Sequence, residues 1–444
     1  MDCCREHEPQ YPFRLGPSPR RQQVILLDGR EELLETIRDR VAGLDVHRDR
    51  VVACCRLVIN RRVKLVKGSF STMSAGIADL AGWLSENQVS TVVMESTGVY
   101  WKSIYYGLEG LIKELWLVNA THVKRVPGRK TDISDAEWLA DVAAHGMVRP
   151  SFVPPPPIRE LRELTRYRKT QVEARGREIQ RMEKLLQDAG IKLSSVASSV
   201  WSKSAKAMVE ALIAGERDPE RLADMSLSVM RAKKDRLSAA FTGANFAAHH
   251  QIVARQILDH IAFLDAAIAR LSEEIVERCG PFEPTIEFLC EIPGWGRSTA
   301  EVFIAETGGD MSVFATPGQL ASWAGIAPGT HESAGKRRHV ASLAGNRWLG
   351  KALIESSRSA ARQKDTYLSA QYRRLAARRG PNKATVAVAH SMVISAWHML
   401  STGEHYRELG ADYFTQRYDP QRQARRLTRQ LEQLGYKVTL APAA

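Results

Sequence analysis

The chain has 444 residues, with 63 Lys and Arg against 50 Asp and Glu, and a formal net charge of +13 at pH 7. With 44% hydrophobic and 25% charged residues it has the composition of an ordinary globular protein, which excludes a disordered or collagen-like chain. No run of about 18 apolar residues is present, so no membrane-spanning helix is expected. The N-terminus lacks a signal-peptide core, and the six cysteines form neither a Cys-x-x-Cys pair nor a Cys/His cluster, which favours a reduced, cytoplasmic protein.

The positive charge is concentrated in the last third of the chain. Residues 293–444 carry 21 basic and 11 acidic side chains, net +10, whereas residues 1–150 and 151–292 carry net +2 and +1. A basic region on a near-neutral body predicts a partner with a phosphate backbone. The alternative is a solvated surface without a specific partner.

The first part of the chain alternates strands with helices. After a loose tail, residues 30–42 predict a short helix. Strands Val41–Val46 and Val51–Ile59 flank a charged turn at His47–Arg50, which is a hairpin signal. This alternation indicates an α/β domain over residues 40–157, and its further predicted elements are a helix at 73–85, strands Thr91–Met94 and Leu115–Val118, and a helix at Ser134–His145.

The prolines at 154–157 predict a domain boundary, and two long amphipathic helices, 158–190 and 250–279, follow it. Their apolar stripes favour an antiparallel or an intermolecular coiled coil. We expect region 158–284 to build a homo-oligomer, with an interface at Ile257, Ile261 and Leu264. The alternative is a plain helical spacer.

Four carboxylates stand out in the α/β domain: Asp45, Glu95, Asp132 and Asp135. Asp45 interrupts an apolar strand, and Glu95 directly follows another. Ser134 with Glu137 reads as a capping box, which places Asp135 in the first turn of a helix and Asp132 in the loop before it. Carboxylates at strand ends of an α/β sheet lie where such folds bind ligands, and oxygen-only ligands favour Mg²⁺ or Mn²⁺. The alternative is that each acid is an ordinary cap or surface charge.

The basic third is predicted to be helical. In the segment from Glu291 to Val302, Gly294 and Gly296 suggest a tight turn between two helices, a helix-hairpin-helix signal for phosphate binding. The alternative is a plain αα-turn. Ser333 lies in a predicted polar turn, and such a serine is usually only a turn residue. Basic residues suited to neutralising phosphate follow at Lys336, Arg337, Arg338 and Arg347.

These segments resemble a known family. GLDVHRDRVVA, VVMESTGVYW and GRKTDISDAEWLADVAAHGMVRPSFVPP are similar to the N-terminal motifs of the DEDD transposases of IS110-type insertion sequences, whose first domain is RuvC/RNase H-like. PGWGRSTAEVFIAETG, FATPGQLASWAGIAPGTHESAGK and AGNRWLGKALIESS resemble their C-terminal transposase domain. The resemblance implies that Ser333 is the DNA nucleophile and that the metal-binding acids are Asp45, Glu95, Asp132 and Asp135.

The resemblance also implies a function and a domain organisation. The expected enzyme is a Mg²⁺- or Mn²⁺-dependent DNA transposase that moves an insertion sequence, guided by an element-encoded bridge RNA. It would act on donor and target DNA as a dimer or tetramer, in the cytoplasm of a prokaryote and associated with the nucleoid. The expected regions are an extension (1–39), a RuvC-like catalytic domain (40–157), a helical coiled-coil region (158–284), a mainly α transposase domain (285–415) and a tail (416–444).

Two other classes of function are compatible with parts of the sequence. A RuvC-type nuclease that cuts DNA structures with metal-activated water needs the four acids but not Ser333. A non-catalytic nucleic-acid-binding protein needs the basic third and none of the acids. Only the transposase uses both groups of residues.

Overall fold

The computed structural model describes residues 23–26, 36–96, 98–126, 134–329, 331–333, 336–338, 345–416 and 420–440. The chain forms two compact units, Met1–Val153 and Pro154–Ala444. No helix in the described part of the chain is both long enough and apolar enough to cross a bilayer. The division into five regions remains a prediction.

The first unit is built on a six-stranded mixed sheet in the order β1-β4-β3-β2-β5-β6. Strands β2, β3 and β4 form an antiparallel meander, and β5 and β6 continue the sheet in parallel with β2. The hairpin, the two later strands and the α/β class predicted from the sequence are confirmed. The strands are β1 (Gln23–Leu26), β2 (Arg40–Val46), β3 (Arg50–Ile59), β4 (Arg62–Ser71), β5 (Thr91–Glu95) and β6 (Glu114–Val118).

Four helices accompany this sheet: α1 (Ser74–Glu86), α2 (Trp101–Leu108), α3 (Ala120–Arg125) and α4 (Asp135–Ala144). Alternate strand residues face opposite sides of a sheet. Leu44 and Met94 accordingly pack with Trp83 of α1, whereas Val41 and Val93 pack with side chains of α4. The side of the sheet covered by α4 therefore receives the odd-numbered residues of β2 and β5.

The helix predicted at residues 30–42 is wrong where the structure describes it. Residues 36–39 are not helical, and β2 already begins at Arg40; residues 27–35 lie outside the described part of the chain. The reason is a tertiary interaction that overrides local helix propensity. Val41 and Ala42 are fully buried between β3 and β5, and strand pairing on both sides outweighs the local helical pattern.

The second unit is mainly helical. Its helices are α5 (Pro156–Asp188), α6 (Lys203–Ala214), α7 (Pro219–Asp224), α8 (Lys234–Phe241), α9 (Ala248–Arg278), α10 (Glu283–Cys290), α11 (Arg297–Thr307), α12 (Pro317–Trp323), α13 (Arg347–Ala360), α14 (Tyr367–Arg379), α15 (Pro381–Thr402), α16 (Tyr413–Gln416) and α17 (Pro420–Gln433). A two-stranded hairpin lies between α12 and α13, formed by β7 (His331–Ser333) and β8 (Lys336–Arg338).

The two long helices pair with each other inside one chain. Arg278 at the end of α9 lies 2.6 Å from Glu160 near the start of α5, and His250 at the start of α9 lies 3.1 Å from Asp188 at the end of α5. The helices therefore run antiparallel, which was one of the two arrangements predicted from their apolar stripes.

The proposed oligomer interface on these helices needs correction. Ile257, Ile261 and Leu264 are only 8%, 0% and 2% exposed within a single chain. Ile257 and Ile261 belong to a core that also contains apolar residues of α5, α6 and α8. Because the segment between the long helices covers their stripes, these residues serve the core and are not a free surface.

This burial predicts the effect of truncating Ile261. Ile261→Ala should lower the free energy of unfolding by about 2–5 kcal/mol, because it removes core volume that the neighbours refill only partly. The matched control is Ile252→Ala on the same helix, where the side chain is 66% exposed, and it should change stability by less than about 0.5 kcal/mol. Urea unfolding followed by far-UV circular dichroism measures both variants. Unchanged unfolding of Ile261→Ala, together with a smaller sedimentation coefficient, would restore the interface interpretation.

Candidate active site

The candidate site begins at the carboxyl ends of two neighbouring parallel strands. Leu44 of β2 is in register with Met94 of β5, so Asp45 and Glu95 each follow one step later along the same ladder. Both are odd-numbered residues of their strands and belong to the side of the sheet that α4 covers. Each is half-buried.

Helix α4 contributes the third carboxylate of the site. The hydroxyl of Ser134 accepts a hydrogen bond from the backbone N–H of Glu137 at 3.4 Å, which confirms the predicted N-terminal cap. Asp135 is the first residue of the helix and is exposed. The Glu137 carboxylate, expected to complete the capping box, instead lies 2.7 Å from the Lys67 ammonium.

Gly43 sets the distance between α4 and β2. A Cβ atom on this residue would lie 2.0 Å from the Ala136 carbonyl oxygen and 2.6 Å from the Ala140 nitrogen. Any side chain at position 43 would therefore collide with the backbone of α4. The absence of a side chain lets the helix that begins with Asp135 lie directly on the strand that carries Asp45.

The charges of the other two acids act on Asp45. Burial is the largest influence that raises the pKa of the Asp45 carboxyl, and the nearby charges of Asp135 and Glu95 raise it further. His47 acts in the opposite direction and lowers it. The negative charges of Asp135 and Glu95 thus disfavour ionisation of Asp45, and a bound cation would relieve that repulsion.

His47 is a part of this site that the sequence analysis did not single out. Its Nε2 atom lies 3.1 Å from Oδ2 of Asp45. The sequence indicates this contact through the spacing of Asp45 and His47, because side chains at i and i+2 of an extended segment point to the same side. His47 was predicted only as part of a charged turn.

Of the four predicted acids, Asp45, Glu95 and Asp135 are near enough for the charges of Glu95 and Asp135 to act on Asp45, although their carboxylate oxygens do not all lie within 4.8 Å of one another. Asp132 lies outside the described residues, so its predicted role remains a prediction.

The glycine turn before α11 has a packing explanation. Gly294 has a φ of +90°, and a Cβ there would lie 2.6 Å from the Ser356 carbonyl oxygen of α13. Gly296 is the N-cap of α11 and has open space around it. Arg297, at the start of α11, donates through its guanidinium to both carboxylate oxygens of Glu283, which places an acidic group near this helix end. Phosphate binding by Gly294 and Gly296 therefore remains a prediction.

Ser333 is the last residue of strand β7, and its Cα is paired with that of Lys336 in β8. Ser333 therefore ends its strand directly before residues 334 and 335, which lie outside the described part of the chain, so the predicted turn there remains a prediction. The side chains of Lys336, Arg337 and Arg338 lie outside the described atoms. Arg347 is the first residue of α13, and its guanidinium carbon lies 4.7 Å from the centre of the Trp348 ring.

A separate group in the second unit has the residue types of a metal site. Ligand atoms of Asp188, His249 and His250 lie within 4.8 Å of one another. Nδ1 of His250 accepts the Ala247 N–H at 3.1 Å, so Nε2 carries the ring proton towards Asp188 at 3.1 Å. With this tautomer His250 caps helix α9 and offers no free lone pair to a metal ion.

The chain is similar to known transposases over most of its length. A family model for DEDD transposases of the IS110 type matches residues 42–191, and one described as the transposase IS116/IS110/IS902 family matches residues 286–373. The transposase for insertion sequence element IS1111A of Coxiella burnetii (strain RSA 493 / Nine Mile phase I) is 25% identical over 410 residues, which cover 89% of this chain and 98% of that protein. The insertion element IS900 uncharacterized 42 kDa protein of Mycobacterium paratuberculosis is 30% identical over 223 residues, covering 46% of this chain and 54% of that protein.

The contact at Gly43 predicts that an alanine there destabilises the fold, whereas an alanine at an uncrowded glycine does not. Gly43→Ala should lower the free energy of unfolding by about 1–3 kcal/mol, because overpacking forces α4 away from β2. The matched control is Gly82→Ala in α1, where a Cβ would meet nothing within 4 Å and alanine favours the helix. Differential scanning calorimetry compares the two variants with the unmodified chain. Equal unfolding temperatures for Gly43→Ala and the unmodified chain would show that the helix does not depend on this contact.

Proposed function

The chain belongs to the IS110 family of transposases, and on this premise we propose that it excises and inserts an insertion sequence by metal-assisted cleavage and rejoining of DNA. The observation that carries the proposal is the placement of Asp45 and Glu95 at the carboxyl ends of β2 and β5, with Asp135 at the start of α4, the helix that packs against β2. An antiparallel meander followed by two parallel strands is also the topology that a RuvC/RNase H-like domain requires.

The donor set fits a hard divalent cation. Carboxylate oxygens are the ligands that Mg²⁺ and Mn²⁺ prefer, and the pKa of the Asp45 carboxyl is raised first by burial and then by the charges of Asp135 and Glu95. Asp45, Glu95 and Asp135 would hold the ion, and we assign the fourth position to Asp132. When bound, such ions neutralise charge on phosphate oxygens and activate an attacking oxygen. His47 would hold the Asp45 carboxylate in place through their 3.1 Å contact.

We assign the nucleophile to Ser333, on the family resemblance. Its hydroxyl oxygen would bond to the DNA phosphorus while the bond from phosphorus to the departing strand breaks. The serine loses its proton, and the departing oxygen of the DNA gains one. The phosphoserine ester conserves the energy of the broken strand, so that a second DNA hydroxyl can reverse the step without ATP.

The proposed partners are donor DNA, target DNA and an element-encoded bridge RNA, in a prokaryotic cytoplasm. The net charge of +10 over residues 293–444 supports a nucleic-acid partner. Helix α14 adds a basic stretch, Arg373, Arg374, Arg378 and Arg379. The assignment of phosphate contacts to Lys336, Arg337, Arg338 and Arg347 is part of this proposal. A homo-oligomer is also proposed, without the interface at Ile257, Ile261 and Leu264.

The proposal predicts the behaviour of Ser333→Ala with donor DNA, Mg²⁺ and the candidate RNA. DNA binding should persist, and both the covalent protein–DNA adduct and the recombinant product should be lost. Denaturing gel electrophoresis of labelled DNA detects the adduct, and Ser401→Ala, at an exposed site on α15, serves as the matched control.

The same experiment distinguishes the alternative nuclease. An enzyme that uses water would cleave DNA without an adduct and would keep its rate in Ser333→Ala. Recombination at the unmodified rate in this variant would therefore contradict the assignment of the nucleophile.

A further inference from the structure

The two ends of the segment that carries Ser333 lie in contact with each other. We refer to residues 325–345 as the Ser333 segment. A Cβ on Gly345 would lie 2.2 Å from the nitrogen of Gly325, so the two ends of the segment touch through their backbones. The backbone N–H of Asn346 also donates to the Trp323 carbonyl at 2.7 Å. The base of the segment is therefore fixed where α12 ends and α13 begins.

The side chain of Asn346 makes contacts in two directions. Its Oδ1 atom accepts the N–H groups of Trp348 and Leu349 at 3.0 and 3.1 Å and so caps α13. Its Nδ2 atom donates to Oε2 of Glu306 at 2.6 Å. The cap needs only an acceptor, whereas the contact with Glu306 needs a donor. A role as a helix cap therefore explains the contacts of Oδ1 but not the contact of Nδ2 with Glu306.

Glu306 is a buried charge in helix α11, with 0% of its side chain exposed. Both of its carboxylate oxygens accept hydrogen bonds from Arg166 of α5 at 2.7 Å, and Arg162 lies 3.3 Å from Oε2. A buried carboxylate is tolerated only where donors surround it. Here the two arginines fix its position, and Asn346 is the contact that joins it to the Ser333 segment.

We propose that Glu306, acting through Asn346, holds the base of the Ser333 segment and is a positioning residue for the strand-transfer step. The proposal rests on the proposed function, because it takes Ser333 to be the nucleophile. Arg162 and Arg166 fix the carboxylate, the carboxylate orients the asparagine amide, and the asparagine joins the start of α13 to the end of α12. A nucleophile needs this kind of support, since a displacement of about 1 Å can cost about a hundredfold in rate.

The sharpest variant is Asn346→Asp. Aspartate caps a helix as well as asparagine does, but it faces the Glu306 carboxylate with an acceptor in place of a donor. Asn346→Ser, which keeps a neutral cap without the reach to Glu306, is the second probe if Asn346→Asp folds poorly. Glu355→Gln is the matched control, because Glu355 is 59% exposed and pairs with Lys169 at the surface.

Two measurements on the full chain separate this proposal from the proposed function. Hydrogen–deuterium exchange of peptides covering residues 323–346 reports on the anchor without any chemistry. The rate of covalent adduct formation with donor DNA, Mg²⁺ and RNA reports on the nucleophile. In Asn346→Asp we expect faster exchange in these peptides alone, and an adduct rate lower by about 10- to 100-fold with an unchanged KM for DNA. The control Glu355→Gln should leave both unchanged.

Two outcomes would overturn the proposal. Unchanged exchange in both Asn346→Asp and Asn346→Ser would show that Glu306 does not hold the segment. Faster exchange with an unchanged adduct rate would show that the anchor does not position the nucleophile. If the unmodified chain forms no adduct at all, the proposed function fails, and the exchange data still decide whether the anchor exists.

Discussion

Helix α4 can lie on strand β2 only because residue 43 has no side chain, and the candidate site depends on this contact. Gly43 lies two residues before Asp45 in β2, and it contacts the backbone of α4 at Ala136, which directly follows Asp135. The distance between two acids on different elements is thus set by one backbone contact. The parallel pairing of β2 with β5 adds Glu95. Two backbone relationships hold the carboxylates together, against a repulsion that contributes to the raised pKa of Asp45.

The second unit uses buried charge for a comparable purpose. Glu306 is enclosed by Arg162, Arg166 and Asn346, which come from α5 and from the start of α13. A buried ion pair contributes little net stability compared with apolar packing, but removing one partner is costly. These contacts therefore fix the position of Asn346 relative to α5 and α11 more than they add to the stability of the fold.

The sequence predicts the parts of this structure that local rules govern. The cap at Ser134, the strand that ends at Glu95 and the hairpin around His47 follow from spacing and composition. Long-range pairing could not be predicted in this way. The Arg166–Glu306 pair is separated by 140 residues, and nothing near either residue indicates the other. The apolar stripes of α5 and α9 suggested a second copy of the chain, because the helices that cover them could not be positioned from the sequence.

We propose that Asp45, Glu95 and Asp135 bind one divalent ion. Binding of Mn²⁺ to the full chain, followed by electron paramagnetic resonance of the free ion, tests it most directly. Asp45→Asn and Asp135→Asn should each weaken binding at least about tenfold, since each removes a charged ligand from the same ion. Asp79→Asn, at an exposed position on α1, should bind as the unmodified chain does. Equal Mn²⁺ affinity in Asp45→Asn, Asp135→Asn and the unmodified chain would contradict the account.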